Sequence, residues 1–233
     1  MVRAHALLPA AGAGDRARTP VNKVLVPLAG VPVIIRTLRR FDEAPSICGV
    51  VVVGRRGETD TIAELACRFG IRKLAAVVEG GATRFESVRN GLAAIPDDAD
   101  IIAVHDAARP FVTVEAIEES IRLAVENGSA VAAVPITDTV KRVGERLAVA
   151  ETLPRETLYA VQTPQTFRAS LLRRAYANAS AAGPGLTDDA AVVESLGEPV
   201  YLFGSRYENL KLTTPLDFKI AEYLLARGGP HVA

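Results

Sequence analysis

Three cations crowd the end of a glycine-bearing segment. In LLPAAGAGDRARTPVNK, Leu7 to Lys23, small residues around Gly12 and Gly14 are followed by Arg16, Arg18 and Lys23. Glycine reaches φ > 0 without steric cost, and the missing side chains let a phosphate come up against main-chain N–H groups. Three positive charges exceed what one phosphate needs, so these residues point to a di- or triphosphate site. Two other readings compete. Gly12-Ala13-Gly14-Asp15-Arg16-Ala17 also fits the dinucleotide fingerprint G-x-G-x-x-[GA], and Arg55 with Arg56 would then meet a 2′-phosphate, as in an NADP-dependent reductase. That motif needs a helix beginning at its second glycine, whereas Thr19-Pro20 and Pro27 break helices here. A plain glycine turn with solvated arginines leaves Lys23 unexplained, because Val24-Leu25-Val26 should pin it at the edge of a buried segment.

Two further stretches carry chemistry. Gly80-Gly81-Ala82-Thr83 closes a strand, and Thr83 with Glu86 three residues on forms a capping box for a helix that presents Arg84, Ser87 and Asn90 near its start. Backbone groups of Gly81 and the Ser87 hydroxyl suit a base edge, although an exposed helix serine would read the same way. His105-Asp106-Ala107-Ala108-Arg109-Pro110 ends another buried strand, and an acid there is placed for metal or hydroxyl recognition. His105 reads as a hydrogen-bonded structural residue before a ligand.

The elements that must position these groups follow from hydrophobic spacing. Ala4 to Leu8, Cys48 to Val53, Leu74 to Val78, Ile101 to Val104 and Ala130 to Val134 are buried strands. They alternate with amphipathic helices over Val33 to Phe41, Glu58 to Phe69, Thr83 to Ala94 and Val114 to Glu126. Continuous apolar strands separated by helices predict an α/β fold, a Rossmann-like, mostly parallel sheet with helices on both faces and right-handed crossovers. Ligands bind such a sheet at the carboxyl ends of its strands, so the Gly12 loop and the Gly81 turn should line one crevice. From Ile136 the pattern changes: Thr139 to Val143, Gly144-Glu145 and Leu147 to Leu153 read as a projecting β-hairpin arm. Two strands alone are marginal, so the arm predicts a partner surface and a dimer. Helices over Ala169 to Ala182, up to Leu196 and over Leu216 to Ala226, with strands over Val200 to Phe203 and Leu210 to Leu212, complete the expected elements. One domain over residues 1–233, with 136–155 inserted as the arm, is expected.

Composition bounds the rest. Of 233 residues 49% are hydrophobic, enough for one large α/β core, and Lys+Arg and Asp+Glu both number 27, so no net field steers the chain to nucleic acid or an acidic membrane. Cys48 and Cys67 form no C-x-x-C or zinc pattern and read as buried thiols in a reducing compartment. No apolar run approaches the roughly 18 residues of a membrane span, and the start lacks a signal-peptide layout, so a cytoplasmic protein is expected.

The segments PAAGAGDR with Lys23, GGATRFESV, VHDAARPF, DTVKR, AVQTPQTF, TDDAAVVE and NLKLTTPLD occur in order along nearly the whole chain. In this the sequence resembles the methylerythritol phosphate cytidylyltransferases of non-mevalonate isoprenoid synthesis, and also the ribitol-phosphate cytidylyltransferases. Ala10-Ala11, Ala108 and the threonine opening TDDA are more similar to the former. The resemblance implies transfer of CMP from CTP to methylerythritol phosphate by in-line attack at the α-phosphate, in a homodimer. It implies Arg16 and Lys23 at the transition state, and CTP contacts from Pro9, Ala10, Ala11, Gly12, Gly14, Gly81, Arg84 and Ser87. On the methylerythritol phosphate side it implies Asp106, Arg109, Thr187 and Lys211, joined by Thr139, Arg155 and Thr163 from the neighbouring subunit's arm, with Lys211 and Arg155 counted as catalytic. Mg²⁺ or another divalent cation is expected, held mainly by the phosphates and by Asp106. Asn22 stands where relatives often have proline, Ala17 where methionine is usual, and Ala82 where an acid is common; none removes a charge the reaction needs.

Overall fold

The computed structural model describes residues 2–12, 22–179 and 186–228. Gly14, Arg16, Arg18 and the expected loop 183–186, apart from Leu186, lie outside that set. The chain begins with β1 (Ala4–Pro9), passes a single 3-10 turn at Lys23–Leu25 and a small ribbon of β2 (Pro27–Leu28) and β3 (Val31–Pro32), and enters α1 (Val33–Glu43). There follow β4 (Ile47–Gly54), α2 (Thr59–Arg68), β5 (Leu74–Glu79), α3 (Arg84–Ala93), β6 (Ile101–Val104), α4 (Val114–Asn127) and β7 (Ser129–Pro135). The arm is β8 (Lys141–Val143) and β9 (Val149–Thr152), and β10 (Tyr159–Arg168) re-enters the sheet. Then come α5 (Ala169–Asn178), α6 (Asp189–Glu194), β11 (Leu202–Gly204) and α7 (Pro215–Ala226).

Seven strands form one sheet in the order β11-β7-β10-β6-β1-β4-β5. All neighbours are parallel except β10, which runs antiparallel to both β6 and β7. This long central strand is absent from the sequence reading. Gln162, Thr163, Gln165 and Thr166 break its apolar run, and Pro164 falls where the ladder to β7 is interrupted between Val161 and Gln165, which is where a sheet tolerates a residue with no N–H. Three other expectations need correcting. Leu74 to Val78 is an edge strand, only half-buried; Leu210 to Leu212 is no strand; and both cysteines are exposed. The predicted helix from Ala169 ends at Asn178 among the described residues.

Each face of the sheet has its own core. Ala6 and Leu8 of β1 with Val50 and Val52 of β4 pack under Ile34, Leu38 and Phe41 of α1, Ile62 of α2 and Ile117 of α4. On the other face Leu7, Val51 and Val53 meet Phe85, Val88 and Leu92 of α3, Leu172 of α5 and Val193 of α6. The alternation of Leu7 and Leu8 between the two cores is the two-residue period of a strand buried on both faces. Each such side chain contributes about 1.5–3 kcal/mol on burial. Gly91 in α3 is a close-approach residue, since a Cβ there would stand 2.3 Å from Leu7 Cδ1 and 2.7 Å from Val53 Cγ2. Glycine costs a helix interior about 1 kcal/mol relative to alanine, and here it seats α3 against β1 and β4, with its N-terminus at their carboxyl ends.

Candidate active site

The carboxyl ends of β1, β4, β5 and β6 meet at one edge of the sheet, held together by main-chain bonds. Ala10 N donates to the Val53 carbonyl at 2.8 Å, Gly80 N to Gly54 at 2.8 Å and Ala107 N to Pro9 at 3.3 Å. The cleft they enclose, about 380 Å³, is lined by Pro9, Ala10, Ala11 and Gly12, by Asn22, Lys23 and Val24, by Gly81 to Arg84 with Ser87, and by Asp106, Ala108 and Lys211. Lys211 is brought in from far along the chain because Leu212 N donates to the Ala108 carbonyl at 2.9 Å. The glycine segment, the capping-box turn and the acid after β6 therefore face one space, as the parallel-sheet rule requires.

Gly80 can only be glycine in this arrangement: a Cβ would lie 2.6 Å from Ala11 Cβ and 2.8 Å from Ser87 Oγ. Ser87 is 4% exposed, and its hydroxyl accepts from Gly81 N at 3.1 Å and donates to the Thr83 carbonyl at 2.9 Å. It fixes the Gly81 turn at the start of α3. Arg84, expected on the nucleotide, lines the cleft while its guanidinium grips Asp189 with two bonds, of 3.1 and 2.6 Å. Asp189 is fully buried and also accepts from the Tyr176 hydroxyl at 2.6 Å. Burial alone would lower the Arg84 pKa, but the Asp189 carboxylate holds it above the usual range; burial and then Asp189 push the Tyr176 phenol up. Gln165 Oε1 accepts from the N–H groups of Asp189 and Ala190, and its Nε2 donates to Asp188, which caps α6. The sequence reading missed Asp189 and Tyr176 as partners, although an arginine near one turn and an acid pair in TDDA were both in view.

Asp106 is the second centre of charge. Its Oδ2 lies 2.9 Å from Lys211 Nζ and 3.3 Å from Arg109 Nε. Burial would raise this carboxyl, but Lys211, Arg109 and Arg84 hold it well below the usual carboxylate range, so it stays ionised throughout the working pH range. Arg109 is itself lowered by burial against the pull of Asp106, and its Nη1 donates to the Asn209 carbonyl at 2.7 Å. Arg109 is not among the cleft-lining residues. Neither are Thr139 and Arg155, which are exposed at the arm, nor Thr187, exposed just before the Asp188 cap.

Thr163 is a correction. It does not belong to the arm: it is a core residue of β10, 4% exposed, and it lies beneath Asp106 of its own chain because β10 pairs with β6. Thr163 Oγ1 accepts from Asp106 N at 3.1 Å and lies 3.0 Å from His105 Nδ1, while His105 Nε2 lies 3.1 Å from the Arg109 carbonyl. A carbonyl only accepts, so Nε2 carries the proton, Nδ1 accepts from the threonine hydroxyl, and the ring is neutral. This relay fixes both ends of the turn bearing Asp106 and Arg109, and His105 is structural, as its position suggested.

Burial depresses His105 to about 4. The unfolded chain then binds more protons between that value and the ordinary 6.5, so His105 contributes stability above pH 6.5 that is lost as pH falls towards 4. Between pH 7 and pH 5 this amounts to about 2 kcal/mol. His105→Gln keeps a donor for Arg109 but cannot titrate, so the variant should lose less stability over that interval than the parent. Urea midpoints at the two pH values measure it, and equal losses would refute the assignment.

Among the described residues no cluster of three His, Cys, Asp or Glu side chains could hold a metal ion. Asp106 is the one carboxylate among the described cleft-lining residues, and Lys211 and Arg109 share its Oδ2. With the described residues alone, a divalent cation fits this cleft only as a partner of bound phosphates, with Asp106 supplying at most one oxygen.

Residues 4–227 match the family model described as 2-C-methyl-D-erythritol 4-phosphate cytidylyltransferase (IspD). A 2-C-methyl-D-erythritol 4-phosphate cytidylyltransferase of Geobacillus kaustophilus is 42% identical over 222 residues, spanning 95% of this chain and 96% of the relative. The solved enzyme of that name from Thermus thermophilus superposes with a TM-score of 0.75 at 33% identity, over 95% of this chain and 98% of that one. A 4-diphosphocytidyl-2C-methyl-D-erythritol synthase from Anaerococcus prevotii superposes with a TM-score of 0.86 at 27% identity, over 97% and 99% of the two chains.

Proposed function

This chain belongs to the 2-C-methyl-D-erythritol 4-phosphate cytidylyltransferase family, and from that premise we propose how its cleft carries the reaction. The enzyme is a nucleotidyltransferase that moves CMP from CTP to methylerythritol phosphate and releases pyrophosphate. The supporting observation is the convergence of Lys23, Lys211 and Arg84 with the Ala10 to Gly12 and Gly81 backbones on one cleft. An anionic oxygen of the substrate phosphate attacks the CTP α-phosphorus; that P–O bond forms as the bond to the bridging oxygen breaks, and its electron pair leaves with pyrophosphate. The nucleophile is already ionised at neutral pH, so no general base is needed. Consistently, His105 has both ring nitrogens engaged and is fully buried.

Lys23, with Arg16 from outside the described residues, offsets the charge that grows on the α-phosphate and on pyrophosphate. The Gly12 and Gly81 segments and Ser87 seat the nucleotide, while Asp106 and Lys211 receive the second substrate with Arg109 and Thr187. A phosphate-held divalent cation would neutralise part of the triphosphate charge. Residues 1–233 act as one catalytic unit. The 136–155 arm makes a homodimer and sends Thr139 and Arg155 into the neighbouring cleft. Among the described residues its two strands pair only with each other, and Val143, Leu147 and Val149 on it are exposed, Leu147 by 80%. An isolated two-stranded ribbon is marginal in water, and that apolar surface suits a second copy. No described helix is long and apolar enough to cross a membrane.

The test measures pyrophosphate release from CTP with methylerythritol phosphate and ribitol phosphate side by side, and thermal shift with CTP against NADPH. Release with methylerythritol phosphate well above that with ribitol phosphate, and stabilisation by CTP, are expected. Preference for ribitol phosphate would overturn the substrate assignment.

A further inference from the structure

One four-residue turn grips the chain on either side of residues 13–21. Residues 55–58 join β4 to α2, and Glu58 N closes the turn on the Arg55 carbonyl at 3.0 Å. From the first position of the turn, Arg55 donates Nε to the Gly12 carbonyl at 3.2 Å, with Nη2 on the same oxygen. From the last, Glu58 Oε2 accepts from Asn22 Nδ2 at 2.7 Å. The same amide nitrogen donates to the Ala10 carbonyl at 2.9 Å, and Asn22 Oδ1 accepts from Val24 N at 3.4 Å. Asn22 is 2% exposed, and its side chain makes three hydrogen bonds, to the Ala10 carbonyl, to Glu58 and from Val24 N, that tie the backbone on either side of Lys23 to the residue following β1 and to the 55–58 turn.

We propose that Arg55, Glu58 and Asn22 form a clasp that positions Lys23 against the Ala10 to Gly12 backbone for the transfer step. A lysine has four rotatable bonds, so its ammonium is held at a reacting phosphate only if its own Cα is fixed first. Val24, 2% exposed in the core beside α1, anchors one side of that Cα; the clasp anchors the other. Neither Arg55 nor Glu58 lines the cleft, so their effect reaches the reaction through Asn22 and Gly12. Displacement of a catalytic group by about 1 Å can lower a rate roughly 100-fold without a comparable loss of ground-state binding. The inference rests on the role given to Lys23 above.

Exchanging the charge between the two positions tests it. Asn22→Asp places a carboxylate against Glu58 and the Ala10 carbonyl with no proton to share, and kcat should fall roughly 10- to 100-fold, with the CTP dissociation constant changed by less than about threefold. Glu58→Gln alone can turn its amide oxygen to Asn22 and should stay near the parent rate. In the double variant Asn22→Asp/Glu58→Gln the glutamine amide donates to the new carboxylate, so the part of the lost kcat that comes from facing Glu58 should return, while the Ala10 carbonyl stays without its donor. A double variant no faster than Asn22→Asp, with both folded by thermal melt, would overturn the clasp. If Asn22→Asp does not fold, Arg55→Ala and Arg55→Lys carry the test: loss of kcat in the first, with recovery in the second and CTP affinity unchanged in both, supports the clasp, and unchanged kcat in Arg55→Ala rejects it. Lys23→Ala run alongside separates the two ideas. If it retains full kcat, the role of Lys23 is wrong; if it is inactive while the clasp variants are not, only the clasp is wrong.

Discussion

Lys23→Ala is expected to lower kcat and kcat/KM together by roughly 100- to 1,000-fold while CTP binds with nearly parental affinity. The reason is where the lysine stands. It opens a single 3-10 turn between two residues that are each 2% exposed, Asn22 and Val24, and it lines the cleft beside Gly12. A cation so placed meets the α-phosphate more strongly as negative charge accumulates there than in the resting complex, and interactions of that kind appear in kcat. Steady-state kinetics together with a CTP titration by calorimetry decide the matter. A variant whose only change is a raised KM for CTP would make Lys23 a ground-state anchor.

A second large effect is a recovery of activity. Lys23→Ala and Arg155→Ala homodimers should each be nearly inactive, yet mixing them under conditions of subunit exchange should restore about a quarter of parental sites. Arg155 is exposed at the base of the arm, where its Nη1 donates to the Thr137 carbonyl at 2.9 Å, and it is not among the residues lining its own chain's cleft. If it serves the neighbour, a mixed dimer holds one site with both lesions and one with neither, and half of randomly paired dimers are mixed. Arginine suits that role because its planar fork both orients and neutralises a phosphate. If Arg155 acted within its own subunit, every site would keep one lesion. Proven exchange without recovered activity therefore rejects the trans assignment.

The parts of this molecule legible in the sequence are those whose cause is local. The strand ahead of Gly12, the capping box at Thr83 and Glu86, and the apolar run ending in His105-Asp106 are set by neighbours within a few residues, and each lies within a residue or two of its expected place. What stayed hidden depends on partners far along the chain. Thr163 looks like an arm residue until β10 is seen to pair with β6, which puts it under Asp106. Arg84 looks like a free cation near a helix start; its Asp189 partner lies 105 positions away. Asn22 looks like an ordinary loop residue until Glu58 and the Ala10 carbonyl arrive on either side. Periodicity records which side of an element is buried, and it carries no mark of which distant polar group will stand opposite.

The antiparallel passage of β10 also bears on how the chain is made. During synthesis from the N-terminus, β6 and β7 are complete by Pro135, but the strand that lies between them ends only at Arg168. Until then the edges of β6 and β7 that β10 will occupy carry unpaired N–H and C=O groups in apolar strands, the kind of surface on which nascent chains pair with one another. Emergence of the arm and of β10 closes both edges at once. The stretch from Lys141 to Arg168 thus supplies both the arm and the strand that covers these two edges, while the outer edge of β7 waits for β11.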